Sequence, residues 1–133
     1  MGNKRKDIET LEDVQLLVNE FYGKIRKNPL LQDIFNQVIQ NRWPEHLAKM
    51  YTFWQTVLLD KHTYFGRPLV PHIELPVVAI HFEEWIKLWY GTLDELFEGG
   101  PKVDHAKWQS ARMAEMFQLK IQMFKGSFAT QRN

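Results

Sequence analysis

The chain has 133 residues, of which 44% are apolar and 25% charged, and its 17 lysines and arginines against 16 acidic residues leave a net charge of +1. This composition is typical of one globular domain, and the charge balance argues against binding nucleic acid through overall charge. The absence of cysteine excludes disulfides, thiolate–metal sites and iron–sulfur clusters. No apolar run approaches the ~20 residues of a membrane span, and the charged N-terminus is unlike a secretory signal, so no membrane association and a cytoplasmic location are expected.

The first apolar stripe with helical spacing contains Tyr22. Thr10, followed three residues later by Asp13, is typical of a capping box at the start of this helix. The helix is predicted to end at Asn28-Pro29, because the residue before a proline disfavours the helical conformation.

A short segment around Phe35 is predicted to form one or two helical turns. The second long helix is predicted to start at Pro44, since proline suits the first helical position. The residues on its inward face are His46, Met50, Phe53, Trp54, Val57 and Leu58. Residues 60–71 are predicted to form a loop, because Gly66 and Pro68 interrupt the pattern.

The third long helix is predicted to start at Pro76, to carry Trp85 on its inward face and to end at Gly99-Gly100-Pro101. Asp104 is predicted to cap the last helix. The residues of that helix expected to face inward are Trp108, Ala111, Phe117, Ile121 and Phe124.

No segment alternates with a period of two residues over the length of a strand, so the chain is predicted to be all-α, with four main helices. One domain is expected over residues 10–125. Residues 1–9 and 126–133 are expected to be flexible tails.

Aromatic residues make up 14% of the chain, which favours either a core filled with large rings or a core that lines a flat aromatic ligand. Three polar-tipped side chains lie on the inward faces of three different helices: Tyr22, His46 and Trp85. Each alone is most simply a core residue with a hydrogen-bond partner. Together they indicate a pocket in which several donors converge.

His72 lies in the stretch VPHIELP, where Pro71 and Pro76 restrict the backbone and Val70, Ile73 and Leu75 are expected to be buried. The chain contains no HExxH, phosphate-loop, GxGxxG or GxSxG motif. Without cysteine, any metal chemistry must depend on the five histidines and the carboxylates, and most carboxylates lie on helix faces predicted to be exposed.

Several motifs of the chain resemble the truncated haemoglobins, and within them most closely the third group. The motifs are FYGKIR around Tyr22, DIFN around Phe35, RWPEHLAKM around His46, FW at 53–54, YFGRPLVPHIELP and FEEWIKLW. They occur in order over about residues 10–125. The glycine pairs typical of the other two groups are absent near the first helix and before the histidine, since the only Gly-Gly is at 99–100. The resemblance implies a shortened globin fold, with two helices packed across two others around haem b.

The resemblance implies that His72 is the proximal ligand of the haem iron, held at a fixed angle by its surroundings. The competing candidate is His81. On a helix it would share a face with Trp85, four residues later, so the two could not lie on opposite sides of a haem. His62 and His105 are expected to be surface residues.

On the distal side the resemblance implies Tyr22, His46 and Trp85, each of which can donate a hydrogen bond to a bound gas. The iron is expected to be five-coordinate. The other residues expected at the haem are Phe35, Met50, Phe53 and Trp54 in the apolar wall, with Lys49 and Arg67 as partners of the propionates.

Three functions fit the sequence. The first is reversible binding of O2 and related diatomic gases (NO and CO). The second is redox turnover at the same site, such as nitric oxide dioxygenation or peroxide chemistry, with a separate reductase because 133 residues leave no room for a flavin or nicotinamide segment. The third is a helical interaction module without haem. The sequence leaves the choice between binding and turnover open.

Overall fold

The computed structural model describes residues 4–68, 72 and 75–131, the last six by their backbone alone. Its helices are α1 (Leu11–Ile25), α2 (Gln32–Ile39), α3 (Trp43–Leu59), α4 (Ala79–Leu96) and α5 (Pro101–Gln131). Within the described ranges, β pairing is limited to one isolated bridge between Arg5 and Phe97. The predicted all-α fold is therefore confirmed. No helix in the described part of the chain is both long and apolar enough to cross a membrane.

The start of α1 follows directly from its sequence. The Thr10 side chain accepts a hydrogen bond from the backbone N–H of Asp13, and the Asp13 carboxylate accepts one from the backbone N–H of Thr10. These reciprocal bonds satisfy two N–H groups that have no partner within the helix. The predicted capping box is confirmed.

The four long helices form the two-over-two arrangement expected from the sequence. Helix α1 packs against both α3 and α4, α4 packs against α5, and α3 also touches α5. The stripe of α1 is buried as predicted, with Val14, Leu17, Val18, Phe21, Tyr22 and Ile25 inside. Burial of these apolar faces is what holds the layers together.

The apolar core consists of two clusters rather than one. The larger cluster contains residues from all five helices, and the smaller one is built from Phe82, Ala114 and Ile121 of α4 and α5. Trp85 packs against both clusters. Trp85 therefore links the two clusters.

Helix α4 starts at Ala79, three residues later than predicted from Pro76. The imidazole of His81 explains the shift, because its Nδ1 accepts the backbone N–H of Val78 at 2.9 Å. A histidine is an unusual capping residue, so the sequence pattern did not reveal it. The helix ends at Leu96, ahead of the predicted glycine stop.

Helix α5 starts at Pro101, so Asp104 lies within its first turn. The prediction that Asp104 caps this helix is therefore wrong. The capping carboxylate belongs to Asp7, which accepts the backbone N–H groups of Lys102 at 3.1 Å and Val103 at 3.0 Å. The cap comes from a residue about 95 positions earlier in the chain.

The residues before α1 are joined to the helical body by these and further contacts. The backbone N–H of Glu98 donates to the carbonyl of Arg5 at 2.7 Å, and the side chain of Ile8 is 0% exposed. The packed part of the chain therefore begins ahead of the predicted start of the domain at residue 10. At the other end, helical backbone continues past residue 125 to Gln131.

The inward face of α5 differs from the prediction at two positions. Trp108 is 56% exposed and Phe124 is 37% exposed, whereas both were expected to face inward. The residues buried on this helix are Val103, Ala106, Ser110, Ala114 and Ile121. Trp108 is two residues from Ala106 and from Ser110, which corresponds to about 200° around an α-helix, so it lies on the opposite face from them. Its large apolar side chain had suggested an inward position.

Candidate functional site

His72 is a half-buried imidazole whose protonation is set by the backbone. Its Nδ1 lies 2.5 Å from the carbonyl oxygen of Pro68. A carbonyl only accepts, so Nδ1 carries the proton and Nε2 keeps its lone pair. Burial lowers the pKa of His72, and the bond to Pro68 only partly offsets this, so the ring is neutral near pH 7. Its ring packs against Phe117 of α5, with centroids 5.0 Å apart.

The predicted surroundings of His72 fall only partly within the described residues. Val70, Pro71 and Ile73, for which burial or restraint was predicted, lie outside them. Leu75, which was predicted to be buried, is only half-buried. The restraint that is seen comes from the Pro68 carbonyl.

His46 is a half-buried imidazole whose Nε2 is buried and has no hydrogen-bond partner among the described residues. Burial and, to a smaller extent, the nearby charges of Lys49 and His72 lower the pKa of His46 to about 4. The ring is therefore neutral at physiological pH. The electrostatic effect of His72 on His46 places the two imidazoles near each other, one on α3 and one in the segment before α4.

Tyr22 lies directly beside His46. The ring centroids are 5.0 Å apart and the planes cross at 89°. Burial raises the pKa of the Tyr22 hydroxyl, so it stays protonated and is available as a donor. No described residue forms a hydrogen bond with this hydroxyl. The structure thus brings together two of the three predicted distal residues.

Trp85, the third predicted distal residue, contacts this pair only indirectly. Its ring lies 5.8 Å from Phe21, edge to face, and Phe21 in turn contacts Tyr22 at 5.0 Å. Trp85 is also parallel to Trp89 at 6.4 Å. It therefore stands at the junction of the two core clusters, on the α4 side of the site.

The predicted wall residues divide into an apolar group and a charged group. Phe35 lies 6.1 Å from Tyr22, and the other three belong to the larger core cluster or pack against it: Met50, Phe53 and Trp54. Lys49 and Arg67 are exposed, and neither forms an ion pair with a described carboxylate.

The remaining histidines take no part in this arrangement. His81 caps α4 through Nδ1, His62 is exposed, and His105 lies beside Trp108 at 6.0 Å on α5. Within the described ranges, no group of three or more histidine and acidic side chains could hold a metal ion by itself.

Two features of the site were not predicted from the sequence. Trp43, only 6% exposed, contacts Tyr22 at 5.9 Å and His46 at 5.8 Å. Its position three residues before His46, and so on the same side of α3, was a usable signal. The role of the Pro68 carbonyl could not be predicted in this way, because every residue has a backbone carbonyl and the residue type does not show which one accepts a hydrogen bond.

Comparison with known proteins supports the fold. No family model matches the chain. It is 38% identical over 90 residues to the group 3 truncated hemoglobin ctb of Campylobacter jejuni, which covers 65% of this chain and 71% of that protein. It is also similar to the crystal structure of a group III truncated hemoglobin from Campylobacter jejuni, with a TM-score of 0.79, 30% identity, and coverage of 88% and 94% of the two chains.

Four long helices packed two over two, together with the similarity to a solved truncated hemoglobin, define a globin fold. The chain belongs to the group III truncated haemoglobins.

Proposed function

We propose that the chain binds haem b, with His72 as the proximal iron ligand, and takes up O2 and related diatomic gases on the side of Tyr22 and His46. The observation that carries this proposal is the buried Nε2 of His46, which has no partner among the described residues. A buried polar atom without a partner is costly, and such atoms are rare outside binding sites. A ligand in the pocket would supply that partner.

The protonation of His72 suits an iron ligand. Because Nδ1 donates to the Pro68 carbonyl, the lone pair of Nε2 is free to coordinate, and the lowered pKa keeps it available near pH 7. A backbone acceptor on the second ring nitrogen also fixes the orientation of the imidazole. Contact with Phe117 restricts the ring from the α5 side.

Haem supplies, when bound, an iron centre that coordinates a diatomic gas, and the protein determines how strongly that gas is held. Tyr22 presents a protonated hydroxyl, neutral His46 has one N–H to donate, and Trp85 has its indole N–H. The apolar wall of Phe35, Met50, Phe53 and Trp54 excludes water. Lys49 and Arg67, which are exposed cations, are proposed to pair with the propionates.

We further propose that the resting iron is five-coordinate or water-bound. The right-angle contact with Tyr22 restrains the imidazole of His46, and the neighbouring rings of Trp43 and Phe35 leave little freedom for that pair to rearrange. Coordination of iron by His46 would require these contacts to be broken.

Haem binding is tested by expressing the protein, measuring the Soret absorption and identifying the cofactor as its pyridine haemochrome. We expect a red protein with haem b, whose reduced form shifts its Soret band on addition of CO. A protein that stays colourless and does not take up haem from solution would contradict the proposal.

A second candidate function, redox turnover with a separate reductase, is favoured by one observation. Neutral His46 lies beside the protonated Tyr22, so a proton acceptor and a proton donor face the same space. The test is consumption of NO under O2 with a continuous electron supply. Sustained conversion to nitrate identifies turnover, and consumption that stops after one equivalent identifies gas binding.

A further inference from the structure

Three aromatic rings on the proposed distal side contact each other pairwise. Tyr22 and His46 are 5.0 Å apart at 89°, Tyr22 and Trp43 5.9 Å at 65°, and Trp43 and His46 5.8 Å at 88°. All three separations lie in the range of roughly 4.5–7 Å in which aromatic pairs attract, and all are edge-to-face. In this geometry the positive edge of one ring meets the negative face of another, so each ring limits the rotation of the other two.

The direction of the Tyr22 hydroxyl depends on this packing. Since no described residue forms a hydrogen bond with the hydroxyl, its position is set by the rings around it. Four rings contact Tyr22: Phe21, Phe35, Trp43 and His46. Of the three that are not themselves proposed gas-binding residues, Trp43 also contacts His46. The Trp43 side chain therefore contacts both proposed donors.

Trp43 is held by two other parts of the chain. Its indole N–H donates to Oδ1 of Asn36 in α2 at 3.2 Å. The guanidinium carbon of Arg26, at the end of α1, lies 4.6 Å from the centre of its ring, which is a favourable cation–π distance. Trp43 itself begins α3, where Pro44 restricts the backbone. Three helices thus converge on one indole.

We propose that Trp43 is a positioning residue of the gas-binding pocket, which Asn36 and Arg26 hold in place so that it fixes the directions of Tyr22 and His46. The inference rests on the proposed function, since it concerns the donors of that pocket. Trp43 acts through these two side chains and not by touching the gas.

The other side of Trp43 determines which variant is informative. Trp43 borders a surface groove that is also lined by Arg26, Gln40, Asn41 and Leu47. A small residue at position 43 would open the donors to water through this groove. A change in O2 dissociation could then come from lost positioning of the donors or from easier access of water. Trp43→Phe keeps a ring in place while it removes the bond to Asn36 and reduces the contact with both donors.

The main experiment is a double-mutant cycle on haem-loaded protein, with O2 dissociation as the measurement. Trp43→Phe is made in the wild type and in Tyr22→Phe. If Trp43 acts through the Tyr22 hydroxyl, we expect dissociation to quicken roughly 3- to 30-fold in the wild type and less than about 2-fold in Tyr22→Phe, since residues that act together are not additive. Equal acceleration in both backgrounds would show that Trp43 does not act through the Tyr22 hydroxyl and would overturn the proposal.

A milder variant tests the same proposal without changing the core. Arg26→Gln removes the cation above Trp43, and Arg112→Gln is the matched control, because Arg112 lies 5.5 Å from the Trp108 ring on the exposed face of α5. We expect Arg26→Gln to quicken O2 release in the same direction as Trp43→Phe. Equal rates for the two arginine variants would contradict the role of Arg26 as a support of Trp43.

A spectroscopic measurement distinguishes this inference from the proposed function. Nuclear Overhauser effects between the Tyr22 and His46 rings, recorded on haem-free and CO-bound protein, should weaken in Trp43→Phe, and the C–O stretching band should broaden or shift. Unchanged spectra would overturn the positioning role. A protein that takes up no haem would overturn the proposed function, and the ring contacts of the haem-free form would still decide whether Trp43 orders the pair.

Discussion

Tyr22 of α1 and His46 of α3 meet edge to face, with ring centroids 5.0 Å apart and planes at 89°. Tyr22 is buried and His46 half-buried, and neither the Tyr22 hydroxyl nor Nε2 of His46 has a hydrogen-bond partner among the described residues. Of these two groups, Nε2 of His46 is fully buried, and a buried polar atom without a partner is costly to the folded state. The proposed gas-binding pocket would offset that cost by supplying a partner.

Replacement of His72 tests the proposed iron ligand. His72→Gly removes the imidazole that donates to Pro68, so we expect haem content to fall and added imidazole to restore part of the spectrum by filling the cavity. The measurement is the Soret absorption per protein, with and without imidazole. The control is His81→Ala, which removes only the cap of α4. Loss of haem in the control, with a normal spectrum in His72→Gly, would show that the ligand was misassigned.

The features that the sequence predicted well are local ones. The capping box of α1 requires only Thr10 and Asp13, which are three residues apart, and the inward position of Tyr22 follows from the spacing of its own helix. The exposure of Trp108 also depends only on its own helix, but it was predicted wrongly. The large apolar ring suggested an inward face, whereas the small residues Ala106 and Ser110 are the buried ones.

The features that the sequence did not reveal depend on distant or backbone groups. Asp7 caps α5 from about 95 positions away, and no periodicity within α5 records that contact. The orientation of His72 depends on a backbone carbonyl. The role of Trp43 depends on how α1, α2 and α3 meet, which is a property of the packed fold and not of any one helix.

The cap that Asp7 provides should contribute measurably to stability. Asp7→Ala leaves the N–H groups of Lys102 and Val103 without their acceptor, and we expect the free energy of unfolding to fall by about 0.5–2 kcal/mol. Urea denaturation monitored by circular dichroism measures the loss. Glu9→Ala is the matched control, since its exposed side chain makes no such bond. Equal stability of the two variants would mean that water replaces the cap at no cost.

Burial of His46 should make the protein sensitive to acid. The pKa of His46 is about 4 when folded, against 6.5 for the ordinary group. Between these values the unfolded chain binds more protons, so this contribution to stability is fully present above pH 6.5 and declines as the pH falls towards 4. We expect His46→Leu to lose less stability than the wild type between pH 7 and pH 5 in urea denaturation. Because the pKa of His72 is also lowered, the stability of His46→Leu should still depend on pH in part.

His46→Leu also tests the proposed coordination of the iron. We expect the resting ferrous protein to show a high-spin spectrum in the wild type, and little change in the variant, because His46 is held against Tyr22 and Trp43. Absorption and resonance Raman spectra of the reduced protein distinguish the spin states. A low-spin, bis-histidine spectrum that disappears in His46→Leu would mean that the imidazole leaves its ring contacts to bind iron.

Tyr22 should slow the dissociation of O2 more than any other single residue. Its ring is confined by Phe21, Phe35 and Trp43, and burial keeps its hydroxyl protonated, so the donor is aimed before the gas arrives. A hydrogen bond to a partly charged acceptor contributes about 1.5–3 kcal/mol. Tyr22→Phe keeps the ring and deletes this donor, so O2 dissociation should quicken roughly 10- to 100-fold. Release of CO, whose outer atom carries far less charge, should change much less. Equal acceleration of both gases in stopped-flow measurements would indicate altered access, and slower O2 release would mean that Tyr22 competes with another donor.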